Sequence, residues 1–255
     1  MKLYVLDKWK IIRYICVLAV IGVVFTLAGR ITSNIIATAT SASRKLPIYC
    51  IETESNDISL TFDCAWGADD MPKILDVLKD NNVKATFFVL GEWAEKFPDI
   101  IKRMADEGHD VANHSDTHPH IASLPYDDIK DEIKNANEKI ERITGGKNNL
   151  FRAPYGEYND NVISAAEELG FYTIQWDVDS LDWKNLGREN ILNRVFTKIK
   201  NGSIILMHNG TNDTANVLDE MIKELKNKGF NFKPVSEFIY KENYTINHEG
   251  RQIKN

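Results

Sequence analysis

Cysteine is nearly absent: the 255 residues hold three, at Cys16, Cys50 and Cys64. Three cysteines build no disulfide framework. Cys50 and Cys64 flank an expected hairpin turning near Ser55-Asn56, whose register sets Cys50 opposite about Leu60, so a bridge to Cys64 would be strained. No block of basic residues occurs, and the net charge is -6. That argues against nucleic-acid binding, because phosphate neutralisation needs clustered Lys and Arg. No internal repeat is visible. No uncharged apolar run reaches twenty residues; residues 14–29 come nearest, at about 16, close to the lower limit for a spanning helix.

What is present divides the chain. Lys2, Lys8, Lys10 and Arg13 precede the apolar run, and a globular stretch follows it. Basic residues before such a run keep the N-terminus inside and send the rest out. Residues 1–31 are therefore expected to be one N-terminal membrane helix with the domain outside the cytoplasm. The alternative is a signal segment cleaved at Ala37-Thr38-Ala39 or Ser41-Ala42-Ser43, whose small residues suit a signal peptidase. Residues 32–46 read as a Ser/Thr/Ala linker. Residues 47–240 are long enough for one large α/β domain, and residues 241–255 read as a loose polar tail.

Within the domain, short apolar runs alternate with amphipathic stretches. Runs over residues 46–51, 58–63, 85–90, 111–113, 149–153, 171–176, 203–207 and 230–235 predict strands. Between them, residues 69–81, 92–107, 126–143, 160–169, 188–200 and 213–228 predict helices. The third of these carries Ile129, Ile133, Ala136, Ile140 and Ile143 on one face and stops at Gly145-Gly146. Six or seven strand–helix alternations imply crossovers and a parallel sheet. The fold class is α/β, a distorted (β/α) barrel of about seven units.

Polar residues cluster just after the apolar runs, where parallel sheets carry their active sites. Thr61-Phe62-Asp63-Cys64-Ala65-Trp66-Gly67 ends a strand on a carboxylate, which could equally be a turn or capping residue. In His114-Ser115-Asp116-Thr117-His118 two histidines four apart would share one face of a helical turn and could grip one metal; His120 reads as a neighbour. Arg152-Ala153-Pro154-Tyr155-Gly156 pairs an arginine able to pin a carboxylate with a rigid turn able to aim backbone N–H groups. Asp179-Ser180-Leu181-Asp182-Trp183 offers carboxylates to orient a histidine and an indole to stack a sugar ring. Leu206-Met207-His208 ends the next strand on a histidine.

Taken in order, these five stretches resemble the motifs of the NodB-homology polysaccharide deacetylases, carbohydrate esterase family 4. The resemblance covers about residues 48–239. Thr61-Phe62-Asp63 with Trp66-Gly67, Lys84-Ala85-Thr86-Phe87-Phe88 and Asn113-His114-Ser115 are most similar to the sporulation-associated PdaB branch. The resemblance implies hydrolysis of N-acetyl groups from amino sugars of peptidoglycan or a related polysaccharide, in sporulation. It implies Asp63 as general base, His114 and His118 as ligands of a divalent metal, usually zinc, and Arg152 as the residue orienting the base. It also implies the backbone N–H of Tyr155 as part of the oxyanion hole and His208 as general acid, tuned by Asp182 or, second, Asp179. The expected partners are the polysaccharide and the membrane.

The sequence departs from the family at one place. The third metal ligand is an Asp directly after the base, and here that position is Cys64. A thiolate can ligate zinc, a Cys can be apolar filler, and Asp69 or Asp70 can be the substitute ligand. Two other readings therefore stand beside the enzyme: a weak or inactive barrel that binds glycan or a partner, and an O-acetyl esterase.

Overall fold

The computed structural model describes residues 44–255 and, ahead of them, Trp9, Ile12, Val17, Ala19 and Ile21. The domain is the unit Lys45–Asn255. It is built on β2 (Asp57–Cys64), an eight-residue strand buried along its whole length. A strand covered on both faces needs no alternation of apolar and polar residues, which is why Ile58, Leu60 and Phe62 read with Ser59 and Thr61 as one run.

Beside β2 lie β3 (Thr86–Val89), β4 (Asp110–Asn113), β5 (Leu150–Phe151), β6 (Tyr172–Thr173), β7 (Val178–Asp179) and β8 (Ile204–His208). Their order is β6-β5-β4-β3-β2-β8-β7, all pairs parallel, with β9 (Asn231–Phe232) on the start of β2. β6 and β7 are the two ends of this path, yet only residues 174–177 separate them. Five residue steps reach at most about 17 Å, whereas seven flat strands would span roughly 29 Å. The sheet must curl. The segment before β1 (Cys50–Ile51) helps close the gap: Ile48 exchanges backbone bonds with Thr173 and Gln175, and the Ile51 N–H donates to the Gly202 carbonyl. The result is a curled parallel half-barrel of seven strands, as the expected distorted barrel required, with β6 and β7 left unpaired to each other.

Strand alternation sorts side chains into two layers. Leu60, Phe62 and Cys64, with Phe87, Val89 and Met207, face outward into a cluster shared with the Met71–Asp80 and Thr214–Asn227 helices. Phe88, Ala112, Ile174 and Ile204 pack inside the curl with Ile48 and Ile51. The inward odd positions of β2, Thr61 and Asp63, are polar, and both meet the Arg152 side chain.

Two expectations change. The expected single-pass location is corrected: among the described residues no helix is long and apolar enough to cross a membrane. A run of about 16 residues falls short of the ~20 that a 30 Å hydrocarbon core asks for; of residues 14–29, all but Val17, Ala19 and Ile21 lie outside the described residues, as does Cys16. The tail, expected to be loose, forms a hairpin. β10 (Tyr244–Ile246) pairs antiparallel with β11 (Arg251–Lys254), which pairs parallel with β1. The fully buried Gln252 fastens it, its amide bonding both the N–H and the carbonyl of Tyr240. Cys50 and Cys64 are free and buried, and β1 does not pair with β2.

Candidate active site

Register places the chemistry. Asp63 on β2 stands opposite His208 on β8. His114 follows β4, and the Arg152 N–H after β5 donates to the Asn113 carbonyl just before it. Four chain segments distant in sequence thus deliver polar side chains to one end of the sheet. There Asp63, His114 and His208 line a cavity of about 650 Å³ with Trp66, His118, Tyr155, Trp176, Asp179 and Trp183 on its walls, and Arg152 lies buried behind Asp63.

Arg152 is fully buried. Its Nη1 donates to Asp63 Oδ1 at 2.7 Å and to Thr61 Oγ1 at 2.9 Å; Nη2 donates to the Gln175 carbonyl at 3.1 Å. Its guanidinium lies 4.0 Å from the Phe88 ring centre. Burial by itself would raise the Asp63 carboxyl, but the Arg152 charge, with His114 and His208 adding, holds it below the ordinary value. Asp63 is therefore an anion with one oxygen occupied and Oδ2 turned to His114 Nε2, 3.6 Å away.

His114 donates from Nδ1 to the Arg152 carbonyl at 2.8 Å, which fixes the tautomer and leaves Nε2 as an acceptor. Burial lowers its affinity for a proton, against the pull of Asp63. His118 is pushed down to about 4, by burial first and the neighbouring His114 second. The two rings stand 5.2 Å apart between centres. They do so without the helical turn that the spacing suggests: Ser115 and His118 adopt left-handed φ angles of 72° and 63°. The His118 N–H bonds the Ser115 hydroxyl at 3.2 Å. His120 lies outside the pair, stacked on Tyr155 and bonded to Glu157 at 3.0 Å.

His208 donates from Nδ1 to Asp182 Oδ1 at 2.8 Å. Asp182 Oδ2 accepts the His208 backbone N–H at 2.7 Å and the Thr214 hydroxyl at 2.6 Å. Burial would lower the His208 pKa; the Asp182 hydrogen bond and charge overcome it and raise the value above 6.5. Asp179, the second candidate, bonds the Leu181 N–H instead. Thr61 and Thr214 were not legible in the sequence, since an isolated threonine in or after an apolar run carries no signal. Tyr155 sits on the cavity wall at φ 58°, followed by Gly156, where a Cβ would lie 2.8 Å from the Trp176 ring.

Cys64 points away from all of this. It has no exposed surface and packs in the outer apolar cluster that includes Ala68 and Met71. Burial, then the charges of Asp63 and Asp70, raise its thiol well above the ordinary value, so it stays protonated. Asp69 and Asp70 are not on the cavity wall; Asp70 Oδ2 accepts the Gly210 N–H at 2.8 Å.

A family model for polysaccharide deacetylases matches residues 51–174. A peptidoglycan-N-acetylglucosamine deacetylase of Bacillus cereus is 42% identical over 180 residues, 69% of this chain and 66% of that protein. A peptidoglycan-N-acetylmuramic acid deacetylase of Bacillus subtilis, PdaA, is 36% identical over 76% of this chain and 75% of its own length. Among solved structures, a carbohydrate esterase family 4 pseudoenzyme from Bacillus anthracis superposes with a TM-score of 0.73 at 38% identity, covering 75% of this chain and 68% of that one. The chain belongs to the polysaccharide deacetylase family. These relatives do not single out the PdaB branch.

Divalent-metal dependence is general to the family. Here His114 Nε2 is an open acceptor, and His118 Nδ1 is buried without a hydrogen-bond partner. Two imidazoles suit a metal but are not the three protein ligands of a catalytic zinc. Cys64 does not supply the third, and among the described residues no three His, Cys, Asp or Glu side chains are grouped to hold a metal ion. The donor set does not fit the family's metal centre.

Proposed function

We propose that the domain removes N-acetyl groups from amino sugars of peptidoglycan, by general acid–base chemistry divided between Asp63 and His208. The observation that carries this reading is the pairing of those two residues in register, each with its own partner. The Arg152 charge holds the Asp63 carboxyl below its ordinary value, and Asp182 raises His208 above its own. Two titratable groups pushed apart in this way are a base and an acid facing one cavity.

Asp63 Oδ2 takes a proton from water, and the hydroxide attacks the acetyl carbonyl. The backbone N–H of Tyr155 donates to the tetrahedral oxyanion. His208 gives its Nε2 proton to the departing amine, and Asp182 stabilises the imidazolium until then. His114 contributes through its fixed orientation beside Asp63.

The buried Cys64 favours a second reading, a glycan-binding barrel of weak or no turnover. A Lewis acid supplies several kcal/mol to such reactions, and this site lacks a complete ligand set for one. Acetate release from N-acetylated peptidoglycan fragments decides between them. Release by the wild type that disappears in Asp63→Asn supports the enzyme; binding without release supports the second reading; release that survives in Asp63→Asn refutes the proposed base.

A further inference from the structure

In the unit Lys45–Asn255 four large apolar side chains are exposed: Trp66, Tyr155, Trp183 and Leu186. Scattered exposed apolar residues are ordinary. Here the three aromatic ones all lie on the wall of the same cavity. Trp66 is the most exposed of them, at 69%.

Its backbone is nevertheless held firmly. The Asn209 amide donates to the Trp66 carbonyl at 2.9 Å and to the Gly67 carbonyl at 3.0 Å. The Trp93 indole N–H donates to the same Gly67 carbonyl at 2.7 Å. Gly67 takes a left-handed φ of 47°, and Gly210 lets the Asn209 loop approach: a Cβ there would lie 3.3 Å from the Trp66 carbonyl. An indole fixed at its base and left bare at its ring is preorganised for a ligand.

The indole also continues an aromatic arc. Its ring centre is 5.8 Å from that of His118, His118 is 4.4 Å from Tyr155, and Tyr155 stacks on His120 at 4.6 Å. The C–H face of a pyranose packs on such surfaces, while its hydroxyl and acetamido groups stay at the polar edge. We propose that Trp66 is the stacking platform for a sugar ring adjoining the one that reacts, so that the site selects a chain of amino sugars over a short fragment. This rests on the function proposed above.

The test compares N-acetylglucosamine with tetraacetylchitotetraose, binding being measured by calorimetry on the full chain. The wild type is expected to bind the tetramer tighter than the monosaccharide. Trp66→Ala should weaken tetramer binding about two- to tenfold, the range of one aromatic contact, and leave monosaccharide binding unchanged, since a single ring has no neighbour to stack; Trp66→Phe should restore most of the tetramer binding. Equal tetramer affinity in the wild type and Trp66→Ala, or an equal loss on both lengths, overturns the inference. Length-selective binding through Trp66 without acetate release supports it while sinking the enzyme reading. Acetate release with binding indifferent to length does the reverse.

Discussion

Replacing Asp182 by Asn tests the proposed acid most directly. In the wild type, Asp182 is buried and accepts four hydrogen bonds, from His208 Nδ1 and the Trp183 N–H at Oδ1 and from the His208 N–H and the Thr214 hydroxyl at Oδ2. An amide of the same shape has one acceptor oxygen, so two of these four donors lose the acceptor they had, at a cost of about 1–3 kcal/mol for each left unpaired. The larger effect is on the proton. Burial pushes His208 down, and the Asp182 hydrogen bond and charge do most to bring it up, with the Asp63 and Asp179 charges adding, so the variant histidine titrates at a lower pH than the wild type's. Each unit of that fall is about 1.4 kcal/mol and about a tenfold loss of imidazolium at pH 7. The alkaline limb of acetate release should move to lower pH, with a deficit large at pH 8 and small at pH 5. Stability carries the matching sign. A raised folded-state pKa contributes stability that is complete below pH 6.5 and lost as pH rises through the folded value. The wild type should therefore exceed the variant by more at pH 5 than at pH 9 in denaturant titration. An NMR titration of the His208 ring reads the same shift without any turnover. An unmoved His208 titration in Asp182→Asn would refute the reasoning.

Asp63→Asn should cut acetate release at least about a hundredfold, since a carboxamide takes no proton. It also strands the buried Arg152 charge, so a loss of about 3–5 kcal/mol in denaturant unfolding is expected; wild-type stability would show that the pair is not a buried ion pair. Cys64→Ala should leave the metal content of the purified protein unchanged and leave zinc-dependent turnover, where any exists, as it was. Zinc that is stoichiometric in the wild type and absent from Cys64→Ala would put the thiol on the metal. Gly156→Ala should destabilise by more than about 1 kcal/mol, because φ is 68° and the new methyl meets the Trp176 ring; an unchanged melting temperature would show that the turn relaxes.

The strands and the order of the site were readable because each functional residue follows an apolar run. Ile58 to Phe62 leads to Asp63, and Ile204 to Met207 leads to His208; a parallel sheet brings such ends together whatever the loops do. Cys64 follows Asp63 by one residue at the end of β2, and in this chain it packs into the outer layer, away from the cavity. Other features rest on contacts that leave no local trace. The left-handed turns at Ser115 and His118 bring the two imidazoles together where a helical spacing suggested a helix. The last hairpin is too short and polar to signal itself, and its hold comes from distant partners: the pairing of β11 with β1 and the buried Gln252 on Tyr240. Thr214 meets Asp182 across 32 residues of chain, which no spacing rule anticipates.

The short crossing from β6 to β7 has a consequence for where this chain can be cut or extended. Residues 174–177 bridge the two ends of the sheet, and the carbonyls of Ile174 and Gln175 there also accept from the Arg152 guanidinium that holds Asp63. A nick or inserted loop at this point would uncurl the sheet and release the carboxylate's anchor in one event. New termini are far better tolerated at an exposed turn such as Gly145-Gly146, where a chain break severs no contact with Arg152.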